Sequence, residues 1–352
     1  MTHNALRFPE TDPTPIFEHF RGNQGSDLLT AAVAHFDLFG SLDRQPCSFD
    51  ELAQRLGLAA RPANVLVTAL RAMKLLELRE GRLELTPLAR EHLVPGSDFD
   101  CGDYLGLAAQ TPSVLQMVSL LKSNRPIGAD ASDGGGAAFI YRDGIASAME
   151  AADTARHFTL ALSGRAKNVA PALAEVADLT GARQLLDIGG GTGIYSYALL
   201  QKHPALQAIL LDRPEVLRVA EEVGQRYGVL DRCKFVGGDM FADPLPADVD
   251  AILLSNILHD WDLPECQNLI GRCAAALAPG GRLMIHDVFL NDALDGPLPI
   301  ALYSASLFSL TEGRAYSGGE YRGWMEAAGL KCSETIATTG VHCGLLIATK
   351  PA

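Results

Sequence analysis

Apolar and polar positions along the chain follow two regimes. In the first, apolar residues recur at helical spacing. Leu28, Leu29, Ala32, Val33, Phe36 and Phe39, between Asp27 and Leu42, predict a helix with one long apolar face. Ser48-Phe49-Asp50-Glu51 is a capping box and predicts a helix through Leu56, ended by Gly57. Arg61-Pro62 opens a third helix carrying Val65, Leu66, Leu70, Met73 and Leu75, with proline tolerated in the first turn. Leu78 to Leu85 alternates and breaks at Glu80-Gly81, as a small hairpin does. Three helices and a hairpin make a winged-helix pattern. Helical spacing returns from Tyr104 to Leu121. After a flexible stretch at 130–137 (DASDGGGA), it returns again from Ile145 to Val176 with Met149, Phe158, Leu162 and Val169. That last stretch reads equally as a lid over a ligand site and as a plain connector.

In the second regime short apolar runs alternate with helices. Leu185 to Ile188, Ala208 to Leu211, Cys233 to Val236, Ala251 to Leu254 and Arg282 to Ile285 read as strands. Ile194 to Leu200, Pro214 to Tyr227 and Glu265 to Leu277 read as helices between them, the last stopped by Pro279-Gly280-Gly281. Alternation of this kind predicts an α/β domain built on a parallel doubly wound sheet. Pro299 to Leu310 is a mostly apolar helix with Phe308 in the core, and Trp324 lies in the core face of a helix ending at Gly329. Asp187, Asp212, Asp239, His259 and Asp287 all fall at or near strand carboxyl ends, where sheets of this class bind ligands.

The first strand ends in glycines at 189, 190, 191 and 193. Glycine takes positive φ and lets a ligand lie against bare backbone, so this turn reads as a cofactor cradle. It contains G-x-G-x-G but not the full dinucleotide fingerprint G-x-G-x-x-G, and no Gly-Lys-Ser/Thr follows to make a P-loop. Asp187 precedes the cluster and Asp212 lies roughly 20 residues beyond it, where an acid binds ribose hydroxyls. Asp187 suits a cationic amine and a sulfonium better than a pyrophosphate. The pair favours S-adenosylmethionine over NAD.

Composition narrows the class. The 352 residues allow two domains, and 48% hydrophobic with 20% charged residues describes a globular chain with a sizeable core. A formal net charge of −13 disfavours polyanionic partners and anionic membrane surfaces. Seven cysteines without a CxxC pair point to reduced thiols in the cytoplasm, and the amino terminus lacks the apolar core of a signal peptide. No apolar run reaches membrane-spanning length, and no H-E-x-x-H or Cys/His cluster suggests a metal. Arg61, Arg71 and Lys74 on the third helix raise DNA binding as a reading, but acids outnumber bases over the first hundred positions. The face from Leu28 to Phe39 suits packing on a second subunit better.

Taken together, these segments resemble the S-adenosylmethionine-dependent O-methyltransferases of the plant caffeate and isoflavone type. Their relatives include acetylserotonin methyltransferase and bacterial enzymes acting on polyketides and pigments. The likeness rests on the winged-helix front end, LLDIGGGTG, LLDRPEV, GGDMF, LHDW, APGGRLMIHD and GRAYSGGEYRGWMEAAG. It implies that Gly189, Gly191 and Gly193 bed the methionine part of the cofactor, with Asp187 beside them. Asp212 would take the ribose, Asp239 and Met240 the adenine, and Ser255 stands where some relatives place a lysine near the cofactor. His259 matches the general base and Asp287 the carboxylate that orients it, often a glutamate. The second acid of plant members falls on Ala315 here, unless Glu312 or Glu320 serves from nearby. An already acidic phenol or enol would need less help from the base. Asn256, Tyr303 and Tyr316 are the candidates for substrate contacts.

The sequence therefore predicts a winged-helix dimerisation domain over 1–100. A helical connector and a Rossmann-like, S-adenosylmethionine-binding methyltransferase domain follow over 101–352. The chain is expected to form a homodimer in the cytoplasm and to act on a small aromatic substrate, with no metal, nucleic acid or membrane. Two other readings compete: a same-fold enzyme turned to hydroxylation or decarboxylation, and a ligand-responsive winged-helix DNA-binding protein.

Overall fold

The computed structural model describes residues 2–128 and 152–352. The stretch DASDGGGA and Met149, predicted above as loop and helix, lie outside the described residues. The chain divides into two compact units. One comprises Met1–Phe17, Gly134–Phe289 and Tyr316–Ala352, and the other Glu18–Asp133 and Leu290–Ala315. This differs from a boundary near residue 100. The segment 290–315 returns to the front unit because Ala305 and Phe308, on its apolar helix, join the front unit's core.

In chain order the front unit holds α2 (Gly25–Ala34), α3 (Leu38–Arg44), α4 (Phe49–Leu56) and α5 (Ala60–Ala72), preceded by α1 (Thr14–Arg21). The hairpin β1 (Leu76–Arg79) and β2 (Arg82–Leu85) follows, then α6 (Pro87–His92), α7 (Gly102–Gly106) and α8 (Pro112–Ser123). The predicted helix over Asp27 to Leu42 is two helices, broken where Asp37 takes φ 43°. The Ser48–Glu51 capping box forms as read, with Gly57 closing α4 at φ 67°. Glu80 and Gly81, at φ 49° and 78°, make the two-residue turn that matches strand twist in a hairpin.

Within this unit, Leu28, Ala31, Ala32, Leu38 and Phe39 are fully buried in its own core, while Leu29, Val33 and Phe36 of the same predicted face are only partly buried. Arg61 and Arg71 are likewise committed inside the unit. Arg61 donates to the Thr311 and Gly313 carbonyls (3.1 and 3.0 Å), and Arg71 to the carbonyls of Ala293 (2.5 Å) and Leu294 (3.2 Å). They do not form the exposed basic stripe that a DNA phosphate backbone requires.

The second unit is built on a nine-stranded sheet. Its strands are β3 (Gln184–Ile188), β4 (Gln207–Asp212), β5 (Cys233–Gly237), β6 (Val249–Ser255), β7 (Leu277–Leu290), β8 (Tyr316–Ser317), β9 (Lys331–Cys332), β10 (Ala337–Gly340) and β11 (Cys343–Thr349). Helices α9 (Ala152–Val176), α10 (Ile194–Lys202), α11 (Pro214–Gly224), α12 (Leu263–Ala276) and α14 (Gly318–Ala327) belong to it, while α13 (Leu298–Leu310) lies in the front unit. The strand order is β10-β11-β7-β6-β3-β4-β5. The five predicted strands pair in parallel, and β11 then adds antiparallel to β7. The sheet is therefore mixed, not purely parallel. The apolar run of β11 is buried, and its hairpin with β10 puts it beside β7 without a crossover helix. The direction of winding reverses between β3 and β6, the switch point where such sheets bind ligands. Among the described residues no helix is long and apolar enough to cross a membrane.

Candidate active site

An open cavity lies at that switch point, wholly within the sheet unit. Its wall combines the glycine turn after β3, the ends of β4, β5 and β6, and one face of α9.

The glycine turn is shaped by positive φ: Gly189, Gly191 and Gly193 sit at 69°, 56° and 76°. Gly189 and Gly191 line the cavity. Gly193, predicted to touch the cofactor, is not part of the lining. It packs from behind: a Cβ there would run into the Tyr197 ring and come 2.9 Å from Leu210 Cδ2. Gly193→Val is accordingly expected to cost about 1–3 kcal/mol from backbone strain alone. An unchanged thermal unfolding midpoint would contradict it.

Asp187 is buried under the turn and accepts from Ser196 Oγ at 2.6 Å. Burial pushes its carboxyl up to about 7; the Ser196 bond opposes this and the charge of Asp212 adds to it. Asp212 accepts from the Gly191 and Arg213 backbone N–H groups at 2.9 and 2.7 Å, and burial raises it to about 6 against those bonds. Asp239 Oδ1 accepts from the Phe241 N–H at 2.8 Å, closing a turn, while Oδ2 lies 3.8 Å from Arg213. Asp239 and Met240 both line the cavity. Asp239 thus closes its turn through one oxygen and stands in the cavity wall at the same time.

Beyond β6 the chain turns at Asn256, which takes φ 58°, a conformation asparagine tolerates. The turn is followed by a 3-10 segment, Leu258–Asp260. It puts His259 against β7, where Nδ1–H donates to Asp287 Oδ1 at 2.5 Å. Asp287 also accepts from the Val288 N–H (2.7 Å) and the Tyr321 hydroxyl (3.3 Å). Burial pushes the Asp287 carboxyl up, but the His259 charge and hydrogen bond and the Val288 N–H outweigh it and hold it below its ordinary value. A carboxylate on Nδ1 leaves Nε2 as the lone-pair nitrogen of a neutral imidazole. Nε2 lies 3.6 Å from Asp260 Oδ1, and Asp260, not His259, is part of the cavity wall. Burial raises Asp260 to about 6.

Strand alternation sends His286 to the opposite face from Asp287. There its ring nitrogens bond Ser255 Oγ (2.7 Å) and Thr339 Oγ1 (2.9 Å), and burial drives it down to about 3, so it is neutral. Ser255 and Asn256 line the cavity, and Asn256 Nδ2 donates to Ser255 Oγ at 3.0 Å.

The other predicted contacts lie elsewhere. Tyr316 is fully buried among Tyr321 and Trp324 and donates to the Trp261 carbonyl at 2.6 Å, a core role. Tyr303 belongs to the front unit, half-buried beneath the Arg21 guanidinium at 4.3 Å. Ala315 is fully buried and Glu320 is spent on the capping box that starts α14, while Glu312, the other alternative, belongs to the front unit. The stretch read equally as a lid or a connector lines the cavity with Leu162 and also with Thr159, Arg165 and Ala166, which sequence reasoning did not single out; it also missed Tyr195, Asp260 and Trp261. The spacing of Thr159, Leu162 and Arg165 was the available signal; it marks one side of a helix. Among the described residues no group of three His, Cys, Asp or Glu could hold a metal.

A family model describing an O-methyltransferase domain matches residues 132–331. The chain is 34% identical to a 3-hydroxy-5-methyl-1-naphthoate 3-O-methyltransferase of Streptomyces sahachiroi, over 92% of this chain and 90% of that one. It is 32% identical to a tetracenomycin polyketide synthesis 8-O-methyl transferase of Streptomyces glaucescens, over 96% and 97%. Among solved structures, an O-methyltransferase family 2 protein from Planctomyces limnophilus in complex with apigenin matches with a TM-score of 0.87 and 48% identity, over 99% of both chains. The glycine cradle, the acids at the strand ends and these relatives place the chain in one family: it is an S-adenosylmethionine-dependent O-methyltransferase.

Proposed function

We propose that the enzyme methylates a phenolic or enolic hydroxyl of a small aromatic metabolite, with His259 as general base and Asp287 orienting it. The buried His259–Asp287 pair carries this reading. A phenol with pKa about 10 is mostly protonated at neutral pH, and in-line transfer needs the oxygen's electron pair. Asp287 fixes the imidazole so that Nε2 can take the proton, and stabilises the charge that then forms. Support comes from relatives that act on a hydroxynaphthoate and a polyketide, and from the structure solved with apigenin. Methyl-labelled S-adenosylmethionine with a panel of catechols, hydroxyquinones, flavonoids and hydroxyindoles tests it. Tight cofactor binding with no labelled product from any of them would favour the hydroxylase or decarboxylase reading instead.

When bound, the cofactor supplies a methyl group on a positively charged sulfur. In this reading the bare backbone of Gly189 and Gly191 lets it approach, with Gly193 holding the turn from behind. Asp187 attracts its cationic end, Asp212 takes the ribose, Asp239 and Met240 hold the adenine, and Ser255 and Asn256 face the reacting region. The homodimer implied by the resemblance would use apolar surface that the front unit leaves accessible. Tyr104 and Leu107, 76% and 79% exposed, are the front unit's candidates.

The raised acids give a pH prediction. Asp187 and Asp212 hold protons in the folded protein between about pH 4 and 7, which the unfolded chain has already released. Their contribution to stability therefore falls as pH rises through that window. Cofactor binding that needs the carboxylates ionised must then expel protons. Calorimetry with S-adenosylhomocysteine in buffers of different ionisation enthalpy should register proton release near pH 6 and almost none at pH 8. Equal release at both would count against these two acids as ligands.

A further inference from the structure

We infer that Asn256 binds a second hydroxyl of the methyl acceptor, one that keeps its proton while a neighbouring hydroxyl is methylated. Ser255 and His286 hold the amide in the orientation this needs. This rests on the aromatic O-methyltransferase reading and narrows its acceptors to aromatic diols.

Asn256 follows β6, which lies across the switch point from β4 and β5, whose carboxyl ends carry Asp212 and Asp239. The next residue meets the glycine turn: a Cβ on Gly189 would run into Ile257 Cδ1. Ile257 and Asp260 of this segment also line the cavity, with His259 between them in the chain. The amide therefore stands where the cofactor cradle gives way to the base. Asn256 is 7% exposed and lines the cavity, and its Oδ1 is buried with no hydrogen-bond partner. Among the described residues of the wall, Thr159 Oγ1 is the other such atom, but a hydroxyl both donates and accepts and so fixes nothing about its ligand. An amide oxygen only accepts. Left unpaired it costs free energy that a ligand donor recovers.

The orientation of the amide follows from the hydrogen bonds behind it. Asn256 Nδ2 donates to Ser255 Oγ at 3.0 Å. Having accepted there, Ser255 gives its own proton to His286 Nδ1 at 2.7 Å. The neutral His286 ring then carries its proton on Nε2 and donates to Thr339 Oγ1 at 2.9 Å. All four residues are buried, and the Asn256 backbone N–H is fixed as well, on the His286 carbonyl at 2.8 Å. Each donor is thus committed in one direction, which leaves Oδ1 toward the cavity. The reacting hydroxyl is not its partner, because in the proposed transfer that oxygen gives its proton to His259 Nε2, and a carbonyl would repel the charge that develops. That oxygen bonds the methyl carbon as the carbon–sulfur bond breaks. The second hydroxyl donates to Oδ1, keeps its proton and is not consumed.

The test compares kcat/KM in the intact chain for vicinal and peri dihydroxynaphthalenes, the naphthols that lack the second hydroxyl, and the monomethyl ethers, which no longer donate. Wild type should prefer one of the diols about 10- to 100-fold over its naphthol and its ether, so that reaction stops after one methyl. Asn256→Gly removes the amide and tolerates φ 58°, and should bring that preference to about threefold or less. Asn256→Asp, which keeps an acceptor, should retain a part. Ser255→Ala should lose a part, because the freed amide can turn its N–H groups to the cavity. Thermal unfolding confirms that each variant is folded; should one fail, the wild-type comparison of diol with ether still decides. The same preference in wild type and Asn256→Gly overturns the inference. So does a wild-type preference for the ether, which would mean that the amide presents its N–H groups. A loss of S-adenosylhomocysteine affinity in Asn256→Gly with the preference intact also overturns it, since Oδ1 would then serve the cofactor. Product without any preference overturns it too, but leaves the aromatic-hydroxyl reading standing. No product from diol, naphthol or ether, with S-adenosylhomocysteine still bound, sinks both.

Discussion

His259→Ala is expected to lower kcat about 100- to 10,000-fold, the usual worth of a general base, while S-adenosylhomocysteine binds as before. Two features of the site set this expectation. His259 is buried against Asp287, which holds its Nδ1 and puts the imidazole lone pair on Nε2. The ring is also outside the cavity wall, which holds Gly189, Gly191, Asp212 and Met240, the residues proposed to bind the cofactor. Asp287→Asn should lose nearly as much, because an amide can donate to Nδ1 and force the proton onto Nε2, the wrong tautomer for a base. Single-turnover rates separate this from slower product release. If His259→Ala lost less than about fivefold on the best acceptor, the acceptor would be arriving ionised and the base assignment would fail.

Arg61→Ala should be the most damaging single change to stability, by about 3–5 kcal/mol, the cost of breaking a buried charged network. The guanidinium is 6% exposed. It donates to the Asn124 side chain (2.9 Å) and carbonyl (3.1 Å) and to the carbonyls of Thr311 and Gly313, and lies over the Phe308 ring at 4.6 Å. These bonds tie α5 to the end of α8 and to the segment after α13, all within the front unit. Alanine would leave several buried carbonyls without a donor and remove the cover from Phe308. Lysine would recover only a part, because a single ammonium cannot span four acceptors. Urea unfolding followed by circular dichroism measures the loss, and a change under about 1 kcal/mol would show that the network relaxes onto water.

Much of this protein was readable before any coordinates. The alternation of apolar runs with helices sets five parallel strands, because strands buried on both faces must be apolar throughout. Local chemistry is equally direct: Ser48 with Glu51 starts a helix, Gly57 ends it, and Glu80-Gly81 turns the hairpin. Asp187, Asp212 and Asp239 were placed on the ligand side from their positions at strand carboxyl ends, and all three line the cavity.

What only the tertiary structure decided concerns partners distant in sequence. The apolar face from Leu28 to Phe39 says that something covers it, and the fold shows Leu28, Ala32 and Phe39 buried within the front unit's own core, which also takes in Phe308 from far along the chain. Tyr316 has the chemistry of a substrate contact, but its hydroxyl is taken by the Trp261 carbonyl. Gly193 looks like its neighbours in the cradle, yet what it must avoid is the ring of Tyr197 behind it. Arg165 carries no motif; it became visible only when α9 was laid along the cavity wall. Hydrophobic period and capping are local properties, set by side chains a few positions apart. Which buried surface meets which, and which polar atom a cavity leaves for a ligand, depends on long-range packing that the order of residues alone does not display.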